Sequence, residues 1–200
     1  MRRPPERIEA GELVLRRWRR EDAEALGQAI GDSLAHLRPW MPWIANEPLS
    51  LVDRRALLDR WSQAWNDRTE LNYGMFAAST GRVLGSSGLM RRIGPGGWEI
   101  GYWVHVDHVG RGYATTAAGR LTSVAFGLRG TTHVEIHHDT ANAASGRVPA
   151  KLGFRLVGDE PDRVMAPGEV GVKRIWRMTR AEWSAARGLD GPADQSSRTG

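Results

Sequence analysis

The chain has 200 residues, contains no cysteine and carries a formal net charge of +5 at pH 7. That length can bury a core without cross-links, and the lack of thiols excludes disulfides, thiolate metal sites and a cysteine nucleophile. No apolar run approaches the roughly 20 residues of a membrane helix, and the opening Met1-Arg-Arg-Pro-Pro lacks the apolar core of a secretory signal. We therefore expect a cytoplasmic protein without a membrane partner.

Hydrophobic periodicity predicts an alternating α/β order along the chain. Leu13–Trp18 is predicted as a first strand, followed by a short helix that begins near Asp22. Ser50–Asn66 is predicted as an amphipathic helix with Ser50 and Asp53 as its capping box. Strands are then predicted at 72–79, 83–92, 97–104, 133–137, 154–157 and 172–178, with helices at 112–128 and 142–152. Residues 188–200 are polar and rich in Gly, Pro and Ser, which predicts a disordered tail behind a single domain of residues 1–187.

The positive charge raises the question of a nucleic-acid partner. The arginines are scattered among Asp and Glu, and no RNA- or DNA-binding signature is present. A solvated basic surface is therefore the favoured interpretation, and its field would also attract an anionic ligand. We expect no nucleic-acid partner.

The turn between the segments 97–104 and 112–128 is the most informative stretch. Gly110 and Gly112 let the backbone curl so that successive N–H groups point at one anion, and the following helix adds the positive end of its dipole. Thr115 stands where the Rossmann motif has its third glycine, and no Lys-Ser/Thr pair makes the turn a Walker A loop. An ordinary tight turn is the alternative interpretation.

Three blocks of residues surround or accompany this turn. They are Gly97-Trp-Glu-Ile-Gly-Tyr-Trp-Val-His105 with Ala114-Thr-Thr-Ala-Ala118, then Glu135–Ser145 with Val148-Pro-Ala-Lys151-Leu-Gly-Phe154, and His36-Leu-Arg-Pro39-Trp40-Met-Pro42-Trp43. Together they resemble the GNAT N-acetyltransferases, and among them the RimJ/RimL branch, over roughly Leu13 to Trp183. The resemblance implies an α/β (α+β) GNAT fold. In that fold a mixed, mostly antiparallel sheet of about seven strands is flanked by helices, and acetyl-CoA lies in the cleft between the fourth and fifth strands.

The resemblance also assigns cofactor-binding residues. The pyrophosphate of acetyl-CoA is expected on the backbone N–H groups of Val109, Gly110, Arg111, Gly112, Tyr113 and Ala114. Relatives carry Gln or Arg in place of Val109, so Arg111 either replaces that side-chain contact or is a solvated surface residue. Trp103 and Val104 are expected to run along the pantetheine arm, with one N–H as an oxyanion donor, unless this is a plain core strand. Asn142 is predicted as a helix N-cap that also bonds the pantetheine amide. No metal is expected.

Acetyl transfer to an amine requires a base, because a lysine has a pKa of about 10.4 and an α-amino group one of about 8. Strand alternation puts Glu99 and Trp103 on one face, and the resemblance places Glu99 beside the acceptor channel. We predict Glu99 as the general base, acting directly or through a water. The alternative is an ion pair with an arginine of a neighbouring strand. His105 is a second candidate unless it is merely exposed at its strand end, and Glu135 and Glu169 are weaker ones.

The leaving thiolate needs a proton. Many GNAT enzymes use a tyrosine one turn beyond the position of Ser145, where this chain has Pro149. The RimJ/RimL pattern has an earlier serine, so Ser145 is the predicted donor; the alternative is a bond within its own helix. Pro149 lacks an N–H, which leaves the carbonyl of Ser145 to face cofactor or water.

Trp40 and Trp43 are predicted to line the acceptor site, with a plug over the core as the alternative. Adjacent His137 and His138 point to opposite strand faces, so they cannot easily share a metal and are predicted as surface or loop histidines.

The predicted function is direct acetyl transfer from acetyl-CoA to a primary amine, since no cysteine can carry the acetyl group. The resemblance favours a protein N-terminal α-amine. The alternatives are a small-molecule amine (an aminoglycoside, amino sugar or amino acid) or a non-catalytic acyl-CoA-binding module; the acceptor and homodimer formation stay open.

Overall fold

The computed structural model describes residues 3–186 and places eight strands in one sheet, in the order β1-β2-β3-β4-β5-β6-β8-β7. Strands β1 to β8 span Arg7–Ala10, Leu13–Arg17, Glu70–Ala77, Val83–Met90, Gly97–Val104, His133–Asp139, Arg155–Pro161 and Val172–Thr179. Helices α1 to α5 span Ala23–Leu37, Leu51–Asp67, Tyr113–Gly127, Ala143–Lys151 and Arg180–Ala186. The predicted tail at 188–200 lies outside the described residues.

Every strand pair is antiparallel except β5 with β6. These two parallel strands pair only from Gly97–His133 to Glu99–Glu135. Beyond that point no residue pair in the described part of the chain joins them, although β5 continues to Val104 and β6 to Asp139. The sheet therefore opens into a cleft, and the mixed, mostly antiparallel architecture is confirmed.

Two buried clusters cover the two faces of the sheet. One contains Trp98 and Ile100 of β5 together with Leu121 of α3. The other contains Trp103 of β5 and Leu26 of α1. The side chains of β5 therefore alternate between the faces as its sequence predicts. Helices α3 and α4 pack on the first face, whereas α1 packs on the second.

Local signals explain most element boundaries. Ser50 caps α2, because its hydroxyl accepts a hydrogen bond from the N–H of Asp53 at 3.1 Å. Gly81 adopts a φ of 69° in the turn between β3 and β4, which favours glycine. The predicted strand at 97–104 is confirmed as β5, and the predicted helix at 112–128 as α3 with Gly112 as its N-cap.

Two elements were not predicted. Strand β1 is only four residues long and two of them are charged, so it has no strand-like pattern of its own; it is stabilised by pairing with β2. Helix α5 begins at a reciprocal cap in which Thr179 and Glu182 exchange backbone-to-side-chain hydrogen bonds. That capping box was a readable signal for the helix. The sheet thus has eight strands rather than about seven, and the cleft lies between its fifth and sixth strands.

No helix among residues 3–186 is long and apolar enough to cross a membrane.

Candidate active site

A cavity of about 1440 Å³ occupies the cleft and reaches both faces of the sheet. Six of the residues predicted from the sequence line it: Trp40, Trp43, Glu99, Trp103, Asn142 and Ser145. The glycine turn is not part of its lining and forms an exposed surface at the start of α3. The fold therefore brings the predicted acceptor, base and acid residues around one space, with the turn as a separate surface.

The glycine turn exposes backbone donors. Gly110 and Gly112 have φ values of 76° and 81°, and Gly112 caps α3 without any side-chain cap bond. Within residues 3–186, the N–H groups of Gly110 to Ala114 have no protein acceptor. Burial, followed by the charge of Arg111, lowers the pKa of His108 just before the turn. These features fit an anionic group such as a pyrophosphate.

Arg111 is exposed, and its Nη2 lies 3.4 Å from the carbonyl oxygen of Asp107. Val109 is 47% exposed. Both side chains are free of the core, so a role for either toward a ligand stays a prediction.

The predicted acid, Ser145, is held across the cleft by a residue that the sequence analysis did not single out. The hydroxyl of Tyr102 on β5 donates to the carbonyl of Ser145 on α4 at 2.9 Å, and it lies 3.2 Å from Ser145 Oγ. Pro149 stands four residues after Ser145 inside α4, so it removes the usual helical donor to that carbonyl. The freed carbonyl thus bonds Tyr102 rather than facing the cavity alone.

Tyr102 and Asn142 fix the position of the Ser145 hydroxyl. Burial raises the pKa of Tyr102 to about 12, while its bond to Ser145 works against that rise. Asn142 Oδ1 accepts from the N–H of Ser145 at 3.1 Å, which confirms Asn142 as the N-cap of α4. The Ser145 hydroxyl contacts Tyr102 across the cleft, and its role as a proton donor stays a prediction.

The predicted base, Glu99, is buried, and its carboxylate meets two partners. Arg92 Nε donates to Glu99 Oε2 at 2.8 Å, and a second Arg92 nitrogen bonds the other oxygen. Arg92 follows β4 directly, so the predicted ion pair with an arginine of the neighbouring strand does form, just beyond the strand end. His137 Nδ1 lies 3.6 Å from Glu99 Oε2 on the other side. The ion pair and a role as base are compatible, because Glu99 still lines the cavity.

A second carboxylate lies directly beside the first. Glu135 pairs with Glu99 in the parallel register, and its Oε1 accepts from Arg177 Nε at 2.6 Å. Its Oε2 is 2.6 Å from His137 Nε2. The side chain of His137 is only 14% exposed and lines the cavity. The prediction that His137 and His138 are surface or loop histidines is wrong, because β6 extends to Asp139 and packs both rings.

His138 faces the opposite side of β6, as strand alternation predicts. Its Nε2 accepts from Trp176 Nε1 at 3.1 Å, and its Nδ1 lies 2.7 Å from the carbonyl of Asp139. Burial lowers the pKa of His138, in accord with a neutral ring. Among residues 3–186 no three His, Asp or Glu side chains are arranged to hold a metal ion.

Of the two other candidate bases, His105 lies outside the cavity and Glu169 is hydrogen-bonded within its own loop. His105 is 1% exposed, does not line the cavity, and lies 3.4 Å from Asp32 of α1. It is therefore neither exposed nor within the cleft. Glu169 lines the cavity, but its carboxylate accepts from the N–H groups of Met165 and Ala166 and so shapes its own loop.

The acceptor side is closed by two segments. Trp43 packs beside Trp103 with ring centroids 6.3 Å apart. The loop 162–171 reaches this segment through a bond from Gly168 N–H to the carbonyl of Pro39 at 2.9 Å. Asp139 at the end of β6 anchors the same loop, because its Oδ2 accepts from the N–H groups of Val170 and Gly171. The tryptophans thus act both as packing residues and as cavity wall.

A buried ion pair lies in the wall of the cavity beside the Trp40–Trp43 segment. Arg54 of α2 and Glu47 form two hydrogen bonds at 2.7 and 2.5 Å, with side chains 3% and 4% exposed. Both residues line the cavity. The pair fixes α2 against the segment that carries Trp40 and Trp43.

Comparison with known proteins identifies the class to which this arrangement belongs. A family model described as an acetyltransferase (GNAT) domain matches residues 12–155. The chain therefore belongs to the GNAT acetyltransferase family, and the resemblance seen in its motifs is confirmed.

Individual relatives agree with this assignment. YdaF of Bacillus subtilis (strain 168), provisionally named a ribosomal N-acetyltransferase, is 23% identical over 177 residues, which cover 88% of this chain and 95% of YdaF. The structure of RimL, a ribosomal L7/L12 α-N-protein acetyltransferase with coenzyme A, has a TM-score of 0.80 at 19% identity and covers 88% of this chain and 99% of RimL. The microcin C7 self-immunity acetyltransferase MccE, with acetyl-CoA and AMP, has a TM-score of 0.79 at 18% identity over 88% of this chain and 97% of MccE. The fold and the RimJ/RimL-like branch are thereby supported.

Proposed function

We propose that this protein transfers the acetyl group of acetyl-CoA to a primary amine by direct attack, and that its preferred acceptor is a protein N-terminal α-amine. The observation that carries the proposal is the separation of β5 and β6 beyond Glu99 and Glu135. That separation leaves one edge of β5 without a strand partner and places an acid–base set of side chains around the opening. The names of YdaF and RimL support the choice of acceptor.

When bound, acetyl-CoA supplies an activated acetyl thioester. The N–H groups of Gly110 to Ala114 would hold its pyrophosphate, because they are free and lie at the positive end of α3. The free edge of β5 at Trp103 and Val104 would offer backbone groups to the pantetheine arm. Asn142, which caps α4, would also bond the pantetheine amide.

Glu99 would remove a proton from the acceptor ammonium. Its carboxylate lines the cavity, and Arg92 balances its charge without covering it. An α-amine has a pKa of about 8, roughly two units below a lysine side chain. Removal of a proton by this base is therefore less unfavourable from an N-terminal ammonium than from a lysine ammonium.

Ser145 would donate a proton to the leaving thiolate and regain one from the amine nitrogen of the tetrahedral intermediate. Tyr102 bonds both the carbonyl and the hydroxyl region of Ser145 and so fixes its place on the wall of the cleft. A hydroxyl needs such positioning, because proton donation is efficient only within hydrogen-bond reach.

The cavity is large enough to hold an acceptor beside the acetyl group of the cofactor. Its volume of about 1440 Å³ exceeds the roughly 300–1,000 Å³ of ordinary small-ligand pockets. The loop 162–171 and the Trp40–Trp43 segment border the cavity on the acceptor face. A peptide N-terminus could enter there with the residues that follow it.

Mass spectrometry after incubation with acetyl-CoA tests this proposal. The acceptors are peptides with a free N-terminus, the same peptides with a blocked N-terminus and one lysine, and a set of aminoglycosides, amino sugars and amino acids. We expect acetylation of the free N-terminal peptides, with the rate reduced about 10²–10⁴-fold in Glu99→Gln. Acetylation of small amines alone would show that the acceptor is a small molecule and not a protein N-terminus. CoA binding without any product would identify a non-catalytic binding module.

A further inference from the structure

His137 lies between two buried carboxylates, an arrangement that general-base action by Glu99 alone does not use. Glu99 of β5 and Glu135 of β6 are direct partners in the parallel register, and their side chains are 9% and 5% exposed. His137 follows Glu135 by two residues and therefore occupies the same face. Its ring spans the pair, with Nε2 at 2.6 Å from Glu135 and Nδ1 at 3.6 Å from Glu99.

The two distances define which ring nitrogen carries hydrogen. A carboxylate only accepts, so the short contact to Glu135 places a hydrogen on His137 Nε2. In the neutral ring, Nδ1 is then a lone-pair acceptor that faces the acceptor oxygen Glu99 Oε2. At 3.6 Å the two atoms are beyond hydrogen-bond distance. A proton placed between them would supply the missing donor.

The other charges around the ring are already paired. Glu99 bonds Arg92 and Glu135 bonds Arg177, so two positive charges balance two negative ones. Lys173 and Glu160 line the same cavity and pair with each other at 3.5 Å. His133 Nε2 lies 4.0 Å from Glu135 Oε1. The charged groups facing His137 from β5, its own strand and the neighbouring strands are therefore Glu99, Glu135, His133, Arg92, Arg177, Lys173 and Glu160.

We propose that Glu99 and His137 work as one proton-accepting unit, with His137 as the residue that stores the proton. The N–H bond of the acceptor ammonium breaks, its electron pair stays on the amine nitrogen for attack, and the proton moves to Glu99 Oε2. It then passes to His137 Nδ1, which becomes the donor to Glu99 while Nε2 continues to donate to Glu135. Water takes the proton after turnover. The inference rests on the proposed function and adds the group that accepts the proton.

The ordinary proton affinities of these side-chain types support Glu99 as the first proton acceptor and His137 as the residue that stores the proton. An ordinary glutamate has a pKa of about 4.3 and an ordinary imidazole one of about 6.5, whereas an α-amine has one of about 8. An imidazole is therefore a better match than a carboxylate as the proton acceptor for an amine, and His137 is the imidazole that lies beside Glu99.

A pH–rate series on His137→Gln tests the unit, with His133→Gln as the matched control from the same strand and face. We expect His137→Gln to lower kcat at pH 7 by roughly 10²-fold, the lower end of general-base effects, and to recover as pH rises and free amine accumulates. His133→Gln should keep the wild-type profile. The double variant Glu99→Gln/His137→Gln should be no slower than Glu99→Gln, because residues that act as a unit are not additive. Multiplied effects of the two substitutions, or an unchanged profile for His137→Gln, would overturn the proposal.

Nitrogen-15 NMR of the imidazoles gives a readout that needs no turnover. We expect the neutral His137 ring to carry its hydrogen on Nε2, and its Nδ1 resonance to shift in Glu99→Gln. A hydrogen on Nδ1, or an Nδ1 resonance that Glu99→Gln leaves unchanged, would refute the storage site. If His137→Gln fails to fold in a thermal melt, Glu135→Gln replaces it in the pH–rate series and should lower the rate in the same direction; an unchanged rate would refute the unit. A wild-type protein that acetylates no amine but passes the NMR test would instead refute the proposed function.

Discussion

Tyr102→Phe should destabilise the protein because it leaves the carbonyl oxygen of Ser145 without a hydrogen-bond donor. The substitution keeps the ring but removes the hydroxyl that donates to Ser145 at 2.9 Å. Because Pro149 has no N–H, the Ser145 carbonyl then loses its donor from β5 and has none at the usual helical position. A polar group left without a partner costs about 1–3 kcal/mol, and the lower part of that range applies here because the carbonyl lies beside an open cavity.

The assay is equilibrium urea unfolding of four proteins: wild type, Tyr102→Phe, Pro149→Ala and the double variant. Alanine restores the N–H that proline lacks, so it should stabilise the Tyr102→Phe background by about 1 kcal/mol more than it stabilises wild type. A difference of 1 kcal/mol corresponds to about 2–4 °C in Tm for a chain of this size.

Activity separates the two roles of Tyr102. If the hydroxyl also positions Ser145, the double variant should recover stability while kcat stays low. Equal stabilisation by Pro149→Ala in both backgrounds would refute the assigned hydrogen bond. Full recovery of kcat in the double variant would reduce Tyr102 to a structural residue.

Three further outcomes follow from the site. Gly112→Asp should abolish CoA binding in calorimetric titration, because it adds a negative side chain at the free N-terminus of α3. Glu47→Gln should lower the free energy of unfolding by about 3–5 kcal/mol, since it leaves the charge of buried Arg54 without its partner. Burial alone would raise the pKa of Asp139, but its bonds to four backbone N–H groups outweigh that effect and lower it. Its contribution to stability is therefore present above about pH 4 and lost as pH falls through the lowered pKa, and Asp139→Asn should flatten that acid dependence in urea titrations.

Each of these has a matched control in the same chain. Gly81→Asp carries the same backbone strain at a φ of 69° but lies in the β3–β4 turn, so CoA affinity should survive. Glu9→Gln breaks an exposed pair and should cost less than about 1 kcal/mol. Asp159→Asn removes an exposed carboxylate whose bond to Arg174 lowers its pKa, and solvent screening of that pair should make its effect on the acid dependence smaller than that of Asp139→Asn. Equal effects in a control and its partner variant would contradict the corresponding reasoning.

The sequence predicted the parts of the molecule that local chemistry determines. The strand at 97–104 and its alternation could be read because aromatic and aliphatic residues occupy one face. The cap at Ser50 and the turn at Gly112 have residue types that few other conformations favour. Glu99 was placed beside the cleft for the same reason, together with the family resemblance.

The remainder of the site depends on contacts between distant segments. Glu135 meets Glu99 only because β5 and β6 pair in one particular register, and 36 residues of sequence give no sign of that register. His137 seemed an ordinary histidine because no local pattern indicates that Glu99 and Glu135 both lie against its ring. His105 is buried because Asp32 of α1 lies against it, a contact that no pattern near His105 encodes.

The strand order has a consequence for the newly made chain. Strand β6 shares three residue pairs with β5 but seven with β8, and β8 is made after β7 although it lies between β6 and β7 in the sheet. During synthesis, the phosphate-binding turn and α3 leave the ribosome well before the strand that holds β6 in place. A nascent chain can therefore form the glycine turn and α3 while Glu135 and His137 still lie on an unpaired edge. The backbone donors of the glycine turn are therefore in place first, and the arrangement around Glu135 and His137 is complete only when β8 is inserted.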